Sequence, residues 1–207
     1  MPLVPMAQAV ASARPGGLAA FNVIELEHAE AIVAGAEAAH RPVVLQISEN
    51  TVSYHGALAP LALACLRIAD GSAEPVVVHL DHAVRQDLVE EAVELGIQSV
   101  MFDASALAYD DNVAATAAVT RWCHERGAWV EAELGEVGGK DGVHAPGART
   151  EPAQAAVYVG ATGVDALAVA VGSSHAMLTR DACLDNALIR EIAAVAGVPL
   201  VLHGSSG

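Results

Sequence analysis

Seven short apolar runs alternate with six segments of helical period along this chain, and that alternation restricts the fold more than any single residue does. The strand-like runs lie at 18–23, 43–47, 76–80, 98–102, 128–133, 166–171 and 199–202, and the helix-period segments at about 25–40, 57–69, 84–95, 111–126, 151–162 and 181–196. A strand that must traverse a helix before the next strand pairs with it in parallel, because an antiparallel partner needs only a short turn. Residues 25–40 set acids early among strong helix formers, as the helix dipole favours. Gly96, Gly127, Gly163 and Gly197 follow later helical segments and can end them in the left-handed conformation. An α/β class follows, either an open doubly wound sheet or a closed TIM (β/α)8 barrel.

Polar residues at the strand ends favour the barrel. An open sheet gathers its site at one switch point, whereas here every run ends in candidates: Asn22; Gln46 and Ser48; Asp81 and His82; Asp103; Glu131 and Glu133; His175; His203. The run ending Val76-Val-Val-His-Leu-Asp-His82 is the most informative, since charge at the carboxyl end of a buried strand needs a role.

His82, His175 and His203 stand at equivalent strand ends, and three imidazoles with an open fourth position suit catalytic zinc or another divalent ion. His79, three residues before His82, faces the other way on a regular strand and belongs to the wall or interior. Asp81 is better placed for acid/base work beside the metal, or for orienting an imidazole, than as a ligand. Lys140 is the chain's only lysine and lies in a glycine-rich stretch, which argues against iminium chemistry and leaves carbanion stabilisation to a metal.

The 54% hydrophobic content supplies a core, and 3% aromatic residues make that core aliphatic. A net charge of −15, with ten Lys plus Arg scattered singly, argues against a nucleic-acid partner. No run is apolar for the length of a bilayer crossing, so no membrane partner is expected and a cytoplasmic location is. Cys65, Cys123 and Cys183 are odd in number and far apart, and read as buried apolar residues.

The segment 135–150 holds five glycines after the fifth run and reads as a lid. His203-Gly-Ser-Ser-Gly207 offers small residues whose N–H groups, with the Ser206 hydroxyl, suit a phosphate, as the turn after a late barrel strand commonly does. The sequence stops directly after the seventh run. The expectation is one (β/α) barrel domain over 1–207, truncated after strand seven, with the C-terminal strand and helices missing or supplied by a partner.

Taken in order, Ala20-Phe-Asn-Val23, His79-Leu-Asp-His82, Met101-Phe-Asp-Ala-Ser105, Val130-Glu-Ala-Glu-Leu-Gly135 with Gly138-Gly139, Ala170-Val-Gly-Ser-Ser-His175 and Leu202-His-Gly-Ser-Ser-Gly207 resemble the class II, zinc-dependent ketose-bisphosphate aldolases of the fructose and tagatose type. The resemblance covers essentially the whole chain. It implies reversible cleavage of a ketose 1,6-bisphosphate to dihydroxyacetone phosphate and an aldehyde, with zinc held by His82, His175 and His203 stabilising the enediolate.

The resemblance further implies that Asp81 exchanges a proton at the broken bond and that a lid carboxylate protonates the carbanion. Asp141 falls where the family carries glutamate, one methylene shorter, so Glu136 and His144 stay open as donors. Asp103 and Glu133 match acids lining an alternative metal position, Asn22, Gln46 and Ser48 match the substrate wall, and Gly204 and Ser206 match the phosphate turn. Ala176 replaces a family glycine. A homodimer or homotetramer is implied. Two other readings stand: a non-catalytic aldolase-like subunit, and a barrel metallohydrolase, which usually carries H-x-H on strand one where this chain has Asn22.

Overall fold

The computed structural model describes residues 3–134, 149–173 and 182–204. They contain seven strands and eight helices: α1 (Met6–Ala13), β1 (Ala19–Asn22), α2 (Leu26–Ala39), β2 (Val43–Ser48), α3 (Glu49–His55), α4 (Ala59–Gly71), β3 (Val76–Ala83), α5 (Gln86–Glu94), β4 (Ser99–Phe102), α6 (Tyr109–His124), β5 (Trp129–Glu133), α7 (Pro152–Thr162), β6 (Ala166–Ala168), α8 (Asn186–Ala196) and β7 (Leu200–Val201). These residues fall into two compact units, Met1–Phe102 with Cys123–Trp129, and Asp103–Trp122 with Val130–Gly207.

In the first unit β1, β2, β3 and β4 pair in parallel and in sequence order, with Asn22 opposite Gln46 and Ser48 opposite Asp81. The aliphatic run Val43–Ile47 is buried, apart from a half-buried Gln46, because helices cover strands of this kind on one face and the interior takes the other. One part of the core joins Met6 and Ala9 of α1 to Val44 and Val77, with Trp129 packed against them. In the second unit β5, β6 and β7 again pair in parallel and in order. Here α7 and α8 end on Gly163 and Gly197, both at φ 71°, a conformation that glycine takes without strain.

Strand order that advances without reversal in each unit, with a helical connection after each strand, has no switch point of the doubly wound kind. The fold class is α/β, that of the TIM (β/α)8 barrel, with strands one to seven of that plan present.

Several sequence expectations need adjustment. β3 does not stop at residue 80 but runs through Asp81 and His82 to Ala83. β6 is shorter than the apolar run that announces it, covering Ala166–Ala168 only. Helices α1 and α3 lacked a clear periodic signature; α3 forms because the Ser48 hydroxyl caps it, accepting from the Thr51 N–H. Cys65 and Cys123 are buried, whereas Cys183 is exposed and is not a core residue.

Candidate active site

In the first unit the candidate residues lie on β1, β2 and β3. Gln46 uses both amide hydrogens sideways: Nε2 donates to Asn22 Oδ1 at 3.2 Å and to Asp81 Oδ2 at 2.8 Å. Asp81 is 3% exposed, and its other oxygen, Oδ1, has no hydrogen-bond partner among the described residues. A buried carboxylate oxygen left in this way is costly unless something else is meant to meet it.

His82 follows in a left-handed backbone conformation, φ 48°, which is uncommon outside glycine and asparagine. The register explains it. Leu80 pairs with Val100 and Ala83 with Phe102, so three steps along β3 match two along β4, and the strand bulges between them. A regular strand sends adjacent side chains to opposite faces, but here a ligand atom of His82 and one of Asp81 come within 4.8 Å of each other. The bend is held from α3, where Glu49 Oε2 accepts the Val84 N–H at 2.7 Å. His79 lies buried, with Nδ1 2.8 Å from Ser99 Oγ. Ser48 is engaged as the cap of α3, its hydroxyl also 3.1 Å from that of Thr51.

The second unit carries its own buried carboxylates. β5 alternates Val130-Glu131-Ala132-Glu133, so both glutamates share one face, and both are buried. Glu131 Oε1 lies 2.8 Å from Nε2 of buried His203, just past β7. Carboxylate oxygens of Glu133 and Asp103 come within 4.8 Å of each other, and Asp103 Oδ1 also accepts the Ser105 N–H at 3.0 Å. Gly204 follows His203 at φ 68°. Past β6, Gly172 at φ 118° has the Cys183 carbonyl oxygen 2.2 Å from where a Cβ would sit, so only glycine fits there.

Sequence reasoning assigned no role to Glu131, although the period-two pair of acids signalled it. It also passed over Asn112, a buried residue of α6 on the stripe with Thr116, Val119, Thr120 and Cys123. Polar residues at 112, 116 and 120 interrupting an otherwise apolar stripe were the available signal. Expected site residues His175, Asp141 and Ser206 lie outside the described residues, as do Glu136, His144, Lys140 and Ala176.

The donors fit a divalent ion. Imidazole nitrogen with carboxylate oxygen is a set that zinc accepts, and the unmet oxygen of Asp81, the residue before His82, is a polar group suited to a cation or a substrate hydroxyl.

Parallel strands in sequential order, with acids and imidazoles at their carboxyl ends, define an enzyme of the (β/α)-barrel class. The family described as fructose-bisphosphate aldolase class-II matches residues 4–207, and the chain belongs to it; it is an aldolase, a carbon–carbon lyase of a generally metal-dependent family. The structure resembles the YdjI aldolase of Escherichia coli K12 with a TM-score of 0.81 and 31% identity, over 91% of this chain and 67% of that one. A protein of Coccidioides immitis assigned as a fructose-1,6-bisphosphate aldolase gives a TM-score of 0.80 and 29% identity, over 91% and 68%. Fructose-bisphosphate aldolase of Campylobacter jejuni shares the fold, with a TM-score of 0.73 and 21% identity over 92% and 65%. The chain thus spans about two thirds of the length of these solved relatives.

Proposed function

We propose that this protein is a metal-dependent aldolase that reversibly cleaves a ketose 1,6-bisphosphate of the fructose or tagatose type to dihydroxyacetone phosphate and an aldehyde. The observation that carries the reading is Asp81: buried, fixed through Oδ2 by Gln46, with Oδ1 unmet and one carboxylate oxygen within 4.8 Å of a ring nitrogen of His82.

In this reading His82, His175 and His203 hold zinc or another divalent ion, with Asp103 and Glu133 as an alternative position. The bound ion supplies Lewis-acid polarisation of the ketose carbonyl. Asp81 Oδ1 takes the proton from the substrate's C4 hydroxyl. As that oxygen becomes the aldehyde, the C3–C4 bond breaks and its electron pair passes to C3 and the adjoining carbonyl. Asp141 returns a proton to C3, completing dihydroxyacetone phosphate. Gln46 keeps the Asp81 carboxylate from rotating, and Asn22 holds Gln46. Asn22, Gln46 and Ser48 form the substrate-facing wall, and backbone N–H groups at Gly204 with the Ser206 hydroxyl take a phosphate. The protein acts in the cytoplasm, as a homodimer or homotetramer.

The test is release of triose phosphate from fructose and tagatose 1,6-bisphosphates by the metal-replete protein, with and without chelator. Asp81→Asn should retain the fold and lose about 100-fold or more of kcat, the usual contribution of general acid–base catalysis. No cleavage of either substrate by folded, metal-loaded protein would overturn the proposal.

A further inference from the structure

Where β5 ends, a side chain takes over from the sheet. The last β5–β6 pair is Glu133 with Ala168, and Leu134 lies beyond the ladder. Asn112 Nδ2 donates to the Glu133 carbonyl at 3.1 Å and to the Leu134 carbonyl at 3.3 Å, spending both amide hydrogens on consecutive peptides. Its Oδ1 accepts from the Tyr158 hydroxyl at 2.8 Å and from the Thr116 hydroxyl at 3.0 Å. All four hydrogen-bonding positions of this amide are therefore used, and the two carbonyls, which can only accept, fix which end is nitrogen. Asn112, Thr116 and Tyr158 are each no more than 1% exposed.

We infer that Asn112 is a positioning residue for the Glu133 carboxylate, setting the backbone that carries it beside Asp103. The inference rests on the proposed function in one respect: it treats the Asp103–Glu133 pair as part of the metal-binding machinery. An apolar residue would serve the α6 stripe without any hydrogen bonds to satisfy, whereas this amide meets its needs on the two carbonyls at and after Glu133. Two consecutive carbonyls held by one planar group fix the peptide after Glu133 as a rigid plate. The direction of its Cα–Cβ bond is thereby fixed too.

The experiment compares Asn112→Ala, Thr116→Val, Thr116→Ser and a remote control, Ile192→Val, in the full chain. Fold is followed by circular dichroism and thermal melting, zinc affinity by competition with a chromogenic chelator, and turnover by kcat and KM separately. Asn112→Ala should weaken zinc binding about tenfold and lower kcat, with KM changed less than threefold. Thr116→Val, which removes one of the two hydroxyls donating to the amide oxygen, should weaken it about threefold, and Thr116→Ser should restore the parent value. Ile192→Val should lower the melting temperature with zinc affinity unchanged.

If Asn112→Ala folds and binds zinc within twofold of the parent, the inference is overturned while the aldolase reading stands. If Asn112→Ala does not fold, Thr116→Val decides by the same criterion. A parent protein that binds no divalent ion overturns both.

Discussion

Glu131 and His203 face each other inside the protein, with carboxylate Oε1 2.8 Å from imidazole Nε2 and both side chains buried. The carboxylate engages Nε2, so ligation by this ring would use Nδ1. Glu131→Gln preserves shape but removes the charge, and zinc affinity should fall about 10-fold or more, read by chelator competition. Glu131→Ala should also cost about 1–3 kcal/mol of stability, since it takes a partner from a buried imidazole. Unchanged affinity in both variants would dissociate the pair from metal binding.

The bend at His82 depends on Glu49, whose carboxylate accepts the Val84 N–H at 2.7 Å. Glu49→Ala should cost about 1 kcal/mol, because the bond is charge-assisted but exposed to water. It should also weaken metal binding more than an equally destabilising change on α8. Asp185→Ala supplies that comparison, since Asp185 caps α8 through Ala187 and Leu188 and loses about 1 kcal/mol by the same surgery. Equal metal affinities in the two variants would remove Glu49 from the site's support.

Gly172→Ala should be among the more damaging single-atom-scale changes in the second unit. The new methyl would sit 2.2 Å from the Cys183 carbonyl oxygen at a φ of 118°. Backbone strain and overlap together should cost roughly 2 kcal/mol or more. Thermal melting checks this, and a melting temperature within 1 °C of the parent's, allowing about 2–4 °C per kcal/mol, would contradict it.

Stability should decline in alkali. Burial pushes the Cys65 thiol from 9.0 up to about 11, and burial likewise raises the Tyr158 phenol. The folded state thus holds each proton more tightly than the unfolded chain does. The Cys65 contribution is complete below about pH 9 and is lost as the pH climbs toward 11, on the order of 2 kcal/mol. Cys65→Ala should flatten the fall in melting temperature across that window. An identical pH slope in parent and variant would refute the assignment.

The strand sequence was legible because apolar runs buried on both faces stand out from amphipathic helices, and β2 shows it cleanly. The end of β3 was not, because Asp81 and His82 look like the start of a loop by polarity, whereas the ladder continues through them by bulging. α1 and α3 escaped notice for a different reason. At eight and seven residues they are too short for a period to show, and α3 depends on one hydroxyl cap. Strand-end candidates were readable from residue type and position, but the links between them were not. No spacing rule connects Gln46 to Asp81, Glu131 to His203 or Asn112 to Glu133, since each bond crosses between elements far apart in sequence.

Because the bulge sets three steps of β3 against two of β4, the placement of Asp81 and His82 is a matter of residue count as much as residue identity. Side chains at these two positions can be exchanged while their phase is kept, but removing one residue between Leu80 and Ala83 would rotate all that follows onto the opposite face. Diversification of such a site can therefore proceed by substitution. Length differences at this point among related chains would therefore mark a change in which side chains share a face, a change that substitution alone does not make.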